Sequence, residues 1–310
     1  MRILVTGGAG FIGSHVVDAF LGAGHTVSVV DNLATGNPAW LEGKPVTLHA
    51  LDLRSARLAD VFEQERPEAV AHLAAQASVG RSVADPGFDA SVNLGGGLNL
   101  LACCRRVGVR RVIYSASGGA AYGDTEIIPT PEDHPSRPSS PYGVSKVAME
   151  QYLFALGPLH GWTTVSLRYA NVYGPRQNPA GEAGVVAIFC TRLLDGQPCL
   201  INGDGKQTRD YTYVTDVAAA NLAALERPRV TGGLNIGTGM ETTVNELHER
   251  LGRTAGRDVA PVPAPARPGE QRRSCLDAAR AARELGWRPA VSLDEGLALT
   301  FQFFKKERSR

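Results

Sequence analysis

The sequence has no excess of either charge, because 32 lysines and arginines stand against 31 aspartates and glutamates. A balanced surface offers no field for nucleic acid or an acidic membrane, so a small-molecule partner is expected. Cysteine is scarce and poorly spaced for its structural uses. Cys103 and Cys104 are adjacent, while Cys190, Cys199 and Cys275 are scattered, which suits neither a zinc ligand set nor a secreted disulfide framework. Buried thiols and no metal are therefore expected. No apolar run is long enough to cross a bilayer, and the amino terminus opens on a strand rather than on a charged leader and apolar core. A soluble, cytoplasmic protein is the expectation. Internal repeats are absent as well. The 310 residues suffice for one large α/β unit with a smaller lobe, or for two domains.

The first strand, Ile3-Leu4-Val5, runs into Thr6-Gly7-Gly8-Ala9-Gly10-Phe11-Ile12-Gly13, after which Val16, Val17, Phe20 and Leu21 recur at helical spacing. Between a strand and a helix these glycines have separate uses. Gly7 permits a tight turn, Gly10 lets the backbone approach a pyrophosphate, and Gly13 lets the helix pack on the strand. The helix amino terminus, at Phe11 and Ile12, then faces the anion. The next strand, residues 26–30, ends in Asp31-Asn32, at the distance expected for a carboxylate that accepts hydrogen bonds from an adenosine ribose diol. Asp31 would repel a 2′-phosphate, so NAD is expected over NADP.

A third strand, residues 46–51, delivers Asp52 and Leu53, and a helix follows over residues 55–64. A fourth strand, residues 69–73, delivers Leu73, Ala74, Ala75 and Gln76, small enough in part for a flat ring or a diphosphate to lie against the backbone. Parallel sheets bind ligands at these carboxyl ends, so all six residues are cofactor-lining candidates. Residues 88–107 read as a long helical run containing Asn93, interrupted by Gly95-Gly96-Gly97. Three glycines cost a helix roughly 2–3 kcal/mol relative to alanine, and close packing on a neighbouring helix or subunit is the expected compensation.

The fifth strand, residues 112–115, leads into Ser115-Ala116-Ser117-Gly118-Gly119, where a hydroxyl could bond a substrate oxygen that is losing its proton. Residues 129–141 are dense in proline and serine and read as an exposed excursion. Then comes Tyr142-Gly143-Val144-Ser145-Lys146 at the head of an apolar helical run. A phenol and an ammonium four residues apart stack on one helix face, so the cation can favour phenolate and Tyr142 is a candidate base. A sixth strand, residues 163–167, enters Arg168-Tyr169-Ala170-Asn171, and regular βα alternation then ends. A smaller lobe is expected from residue 175, with some later segments returning to the sheet. Within it, Thr215 is expected to cap a helix over residues 216–225, and the charged tail after a last helix over residues 293–304 is expected to fray.

With these pieces in order the chain resembles the extended short-chain dehydrogenase/reductases, and most closely the UDP-glucose 4-epimerase group. The resemblance spans essentially the whole sequence and rests on the ordered set GGAGFIG, VDN, LDLR, HLAAQASV, SASGGAAYG, SPYGVSK, SLRYANVYGPRQ, TRDYTYVTDVA and RPGE. It implies a Rossmann-type, doubly wound parallel sheet in residues 1–174 and a nucleotide-sugar-binding α/β lobe in residues 175–310. It implies bound NAD, Tyr142 as base, Lys146 on the nicotinamide ribose lowering the Tyr142 pKa, and a bridging hydroxyl from Ser117, with Ser115 the alternative. Asn93 and Tyr169 would lie near the cofactor. Ser117, Tyr142, Asn171, Val185, Arg209, Arg267, Glu270 and Ser274 would line the UDP-sugar site, with the arginines on the diphosphate.

The implied reaction is C4 epimerisation of a UDP-hexose through a transient 4-keto sugar, in a homodimer paired through the helices that contain Asn93 and Tyr142. Related dehydratases and decarboxylases carry an acidic residue just before the Tyr-Gly of the serine segment. Here those places are Gly118-Gly119-Ala120-Ala121, which favours epimerase. A UDP-glucuronate 4-epimerase and a non-catalytic NAD-binding protein stay open as alternatives. The small Ser274 implies room for an N-acetyl group beside the sugar.

Overall fold

Short strands rich in Val, Ile, Leu and Ala, almost continuously buried, are what a parallel sheet covered on both faces requires. In the computed structural model, which describes residues 1–180, 184–257, 259–266 and 271–309, they are β1 (Arg2–Thr6), β2 (Thr26–Asp31), β3 (Val46–Ala50), β4 (Ala69–His72), β5 (Arg111–Ser117), β6 (Thr163–Tyr169) and β7 (Gly232–Ile236). They form one seven-stranded sheet in the order β7-β6-β5-β4-β1-β2-β3, every pairing parallel. Strand order reverses between β1 and β4. At such a switch point the loops after the two strands part and leave a crevice.

Alternation along β1 sends Ile3 and Val5 to one face and Leu4 to the other. Ile3 and Val5 pack with Val16, Val17 and Phe20 of helix α1 (Phe11–Gly22) and with Val217, Ala220 and Ala224 from a later helix, Val214–Glu226. Leu4 packs with Leu58 and Phe62 of α2 (Leu58–Glu65), Leu100 and Leu101 of α3 (Gly96–Val107), and Met149 and Leu153 of α4 (Pro141–His160). A third apolar cluster joins Tyr173, Phe189, Leu193, Tyr213, Leu247, Leu251 and Leu297, and so forms the core of the smaller lobe. Segments do return from that region, because β7 pairs with β6 and the helix Val214–Glu226 lies beside α1.

Two glycines of the run are explained by contact. Pro86–Ala90 is a helical turn, Ser91–Gly95 a π-helical turn, and α3 follows directly. A Cβ on Gly97 would run into the Met149 side chain of α4, and one on Gly96 would sit 3.1 Å from Leu53 Cβ. The missing side chains let α3 approach both neighbours, and the regained packing offsets the poor helix propensity.

Three expectations are corrected. The helix after Tyr211–Tyr213 starts at Val214, with Tyr213 in extended conformation as the capping residue and no side-chain cap, so Thr215 lies inside the first turn. The proline-rich stretch is not simply exposed. Thr130 is buried and bridges to Leu276, and Glu132 accepts a bond from Asn235 N. The carboxyl-terminal helix runs from Leu293 to Arg308, where Arg308 pairs with Asp195, so the charged tail stays helical. All five cysteines are buried free thiols.

Candidate active site

The crevice at the switch point begins with Gly7, whose φ of +70° a side chain rarely adopts. A Cβ there would also lie 2.7 Å from Ala74 N, so the turn after β1 and the chain after β4 touch backbone to backbone. A Cβ on Gly13 would strike the Gly7 carbonyl, which is why α1 can start this close to the turn. The first turn of α1 has neither a side-chain cap nor an acidic residue. Its leading N–H groups, at Phe11, Ile12 and Gly13, keep the partial positive charge that suits a pyrophosphate.

At the end of β2, Asp31 is 7% exposed; its Oδ2 accepts from Ala9 N at 3.0 Å and its Oδ1 from Leu33 N at 2.9 Å. The carboxylate is thus fixed beside the glycine turn, where a ribose diol would reach it. Asn32 donates to Asp52 at 3.0 Å, and Arg54 holds the same carboxylate through Nε and Nη2, both at 2.9 Å. Those Arg54 bonds keep the Asp52 carboxyl well below the usual carboxylate range. Leu53 turns into the core. These features suit a dinucleotide laid across β1 and β2.

After β4, Leu73 N bonds to Thr6 O and Ala74 N to Thr6 Oγ1, which also pairs with His72 Nδ1 at 2.8 Å. Burial drives His72 down to about 3, so the imidazole is neutral. Ala74 and Ala75 are partly open, and Gln76 is buried. Asn93, from the π-turn, accepts from Gln76 N at 2.8 Å and donates to Gln76 O, Asp89 Oδ1 and Ser145 Oγ. Its amide is therefore occupied in bracing the loop after β4 against α4.

Helix α4 starts at Pro141, with Ser140 as its cap accepting from Gly143 N at 3.2 Å. A Cβ on Gly143 would sit 2.5 Å from Ala120 O, so the helix head lies against the turn that follows β5. That approach brings the Ser117 hydroxyl near enough to the Tyr142 phenol to favour its ionised form. Ser115 is committed elsewhere. Its Oγ lies 2.9 Å from the Tyr169 hydroxyl, which also accepts from Asn221 at 2.7 Å. A side chain at Gly118 would meet Leu276 Cδ1 at 2.5 Å. Ser117 is the serine of this segment that reaches Tyr142.

Burial raises the Tyr142 phenol to about 12, the Ser117 hydroxyl works against that, and the Asp89 charge adds to it. Lys146 is buried one helical turn further along α4. Its Nζ lies over the Tyr114 ring, 4.7 Å from the centroid. Burial lowers the ammonium to about 8, while Asp89 and Glu150 oppose the loss of its proton. Tyr169 points inward, and burial raises it to about 12.

On the far side of the crevice, Asn171 N bonds to Asp210 O at 2.8 Å, and Arg209 Nη1 donates to Thr208 O at 2.7 Å. Asp210, missed by sequence reasoning, is 1% exposed and accepts from Thr238 N, Thr238 Oγ1, Gly239 N and Leu276 N. It ties together the segments that carry Arg209 and Ser274. Ser274 is 5% exposed, with Oγ 3.0 Å from where a Gly119 Cβ would be. Val185 opens the helix Val185–Leu194 and packs on the small-lobe core. Arg267 and Glu270 lie outside the described residues. Ser145 and Asp89 were also missed, because their importance depends on contacts across the fold and not on any local pattern.

A seven-stranded parallel sheet with a glycine turn and acidic β2 terminus on one side of its crevice, and a Ser/Tyr/Lys group on the other, defines a nucleotide-dependent oxidoreductase scaffold. The chain belongs to the NAD dependent epimerase/dehydratase family, whose pattern matches residues 3–237. It is 45% identical over 311 aligned residues to a UDP-glucose 4-epimerase of Mycolicibacterium smegmatis, covering 99% of each chain. The structure of a UDP-glucose 4-epimerase from Thermotoga maritima with UDP-glucose superposes with a TM-score of 0.96 at 48% identity, covering 99% of this chain and 100% of the other. That of the Thermus thermophilus UDP-glucose 4-epimerase with NAD gives 0.94 at 47%, covering 98% and 99%. Among the described residues no helix is long and apolar enough to cross a membrane.

Proposed function

We propose that this chain is an NAD-dependent isomerase that inverts C4 of UDP-hexoses, UDP-glucose and UDP-galactose first among them. The observation that carries the reading is the convergence of the Ser117 hydroxyl and the buried Tyr142 phenol, which Ser117 acts to hold down, at the carboxyl edge of β5 one helical turn from the buried Lys146. Tyr142 takes the proton of the sugar 4-hydroxyl and later returns it, Ser117 holds that oxygen, and Lys146 stays as a buried cation beside them. Bound NAD would supply the hydride acceptor, and in reduced form the hydride donor, for C4. Gly7, Gly10, Gly13 and Asp31 would hold the dinucleotide, with Leu73 to Gln76 lining the same cleft. Asn171, Val185, Arg209, Arg267, Glu270 and Ser274 hold the nucleotide sugar, with the arginines on its diphosphate. The small, buried Ser274 beside Gly119 supports room for an N-acetyl group.

The same reading divides the chain at residues 174 and 175 into cofactor and sugar lobes, supported by the separate apolar cluster around Tyr173 and Phe189. It also makes the active form a homodimer. Val144, Tyr152 and Leu159 on α4 are 54%, 45% and 74% exposed, an apolar face that a second copy would cover. Sedimentation as a single chain at micromolar concentration would remove that part.

The test uses purified protein without added cofactor, incubated separately with UDP-glucose, UDP-N-acetylglucosamine and UDP-glucuronate. C4 epimers are expected from the first two. No epimer from any of the three, in protein shown to carry NAD, would sink the reading and favour a non-catalytic nucleotide-binding role.

A further inference from the structure

Three side chains given to the sugar side of the crevice stand on separate segments. Asn171 opens the strand Asn171–Tyr173, Arg209 closes the strand Thr208–Arg209, and Ser274 stands two residues before Leu276. Asp210 touches all three segments. It follows Arg209 directly, and its backbone carbonyl accepts from Asn171 N at 2.8 Å. Its carboxylate is 1% exposed, and Oδ1 accepts from Thr238 N at 2.8 Å and from Thr238 Oγ1 at 2.6 Å. Oδ2 accepts from Gly239 N at 3.1 Å and Leu276 N at 3.3 Å, and the Cys275 thiol lies 4.0 Å from it. A Cβ on Gly237 would sit 2.5 Å from the same oxygen, so the chain leaving β7 comes up against the carboxylate.

Three backbone N–H groups and a hydroxyl converging on two oxygens are the donor set of an anion site, and the chain fills it with its own carboxylate. Burial pushes the Asp210 carboxyl up, and the bonds from Thr238, Gly239 and Leu276 work against that. The gathered segments are anchored on the cofactor side as well. Ala170 N bonds to Ile236 O of β7, Thr130 bridges to Leu276, and the Leu276 side chain fills the space that Gly118 leaves next to Ser117. Shifting any one of these segments therefore breaks bonds to one buried charge.

We propose that Asp210 is a positioning residue for the nucleotide sugar: its carboxylate and its carbonyl hold the segments of Asn171, Arg209 and Ser274 in one fixed relation, and it touches no substrate itself. The proposal rests on the UDP-sugar reading given above. An amide in place of the carboxylate keeps the shape but turns an NH2 group toward donors, so either the Thr238 arm or the Gly239 and Leu276 arm loses its acceptor. The loosened segments then hold the nucleotide less tightly in ground state and transition state alike, which raises KM and leaves kcat.

The test is Asp210→Asn, with Thr238→Val as a second variant that removes the hydroxyl bond and keeps the charge. UDP is titrated calorimetrically into NAD-loaded protein, and KM and kcat for UDP-glucose are measured on the same samples. In Asp210→Asn the Kd for UDP and the KM should rise together by about 10–100-fold, the range for removing a group that orients a binding residue from behind. The kcat should stay within about threefold, and NAD content should not change. Thr238→Val should move Kd and KM the same way by about three- to tenfold. A Kd within about twofold of wild type in folded Asp210→Asn overturns the proposal, as does a fall in kcat with Kd and KM unchanged. If Asp210→Asn does not accumulate, Thr238→Val decides alone: a looser UDP complex supports the proposal, and an unchanged one overturns it. A wild type that binds UDP and does not epimerise strikes at the functional reading instead, because the UDP titration does not depend on turnover.

Discussion

Tyr142→Phe is expected to fold, to retain NAD, and to lose C4 epimerisation by about 10²–10⁴-fold in kcat, the range for removing a positioned acid/base group. The substitution deletes one oxygen and leaves the ring that packs at the head of α4. Ser117, the hydroxyl that acts on the phenol, keeps its contact with Ala120 N as a capping residue. The structural cost is therefore about 1 kcal/mol. Melting temperature and cofactor content separate the chemical effect from a folding effect. Near-normal turnover in a folded, loaded variant would remove Tyr142 from the mechanism.

The largest effect on stability is expected from Glu150→Ala. Glu150 sits one turn beyond Lys146 on α4, and its ion pair with Arg168 on β6 has side chains only 2% and 9% exposed. Arg168 also donates to the Tyr122 hydroxyl at 2.7 Å and to Glu132 O at 3.1 Å. Burial works to strip the proton from Arg168, but the Glu150 bonds and charge outweigh it and leave the guanidinium held more firmly than usual. Removing the carboxylate strands a buried cation and the Ser166 hydroxyl together, at a cost of about 3–5 kcal/mol. At about 2–4 °C per kcal/mol for a chain of this size, the melting temperature should fall by roughly 6–20 °C. A fall under about 2 °C would show that water or a new partner reaches Arg168, and that the pair does not lock α4 to the sheet.

The parts of this protein that can be read along the chain are those whose physics is local. A β-branched run, a glycine turn and a helix fix β1, α1 and the dinucleotide cradle. Asp31 is legible because a parallel strand delivers its last residue to the ligand edge. Tyr142 and Lys146 are legible as a pair because helix periodicity puts them on one face. What that spacing misses is where the ammonium turns. It lies over Tyr114, a partner contributed by β5, and burial dominates the phenol.

Ser115 and Ser117 could not be separated along the chain for a related reason. The strand extends two residues further than its β-branched core, because β6 pairs with it as far as Tyr169. Ser115 is thereby held under the Tyr169 hydroxyl, and Ser117 is placed at the open edge. The meaning of Gly96 and Gly97 depended on Leu53 and Met149, both more than 40 positions away in sequence. Asp89 and Asp210 leave no local signal, because each binds residues that only the folded chain brings together.

The mechanism proposed for Tyr142, Ser117 and NAD requires that the hydrogen removed from C4 be put back on the same carbon after the sugar has turned. UDP-glucose carrying deuterium at C4, converted in ordinary water, tests this directly by NMR or mass analysis of the UDP-galactose formed. Full retention of the label at C4 is the predicted result. Loss of the label to solvent at the rate of epimerisation would mean that C4 is inverted by proton exchange, and would contradict the mechanism proposed for Tyr142, Ser117 and NAD.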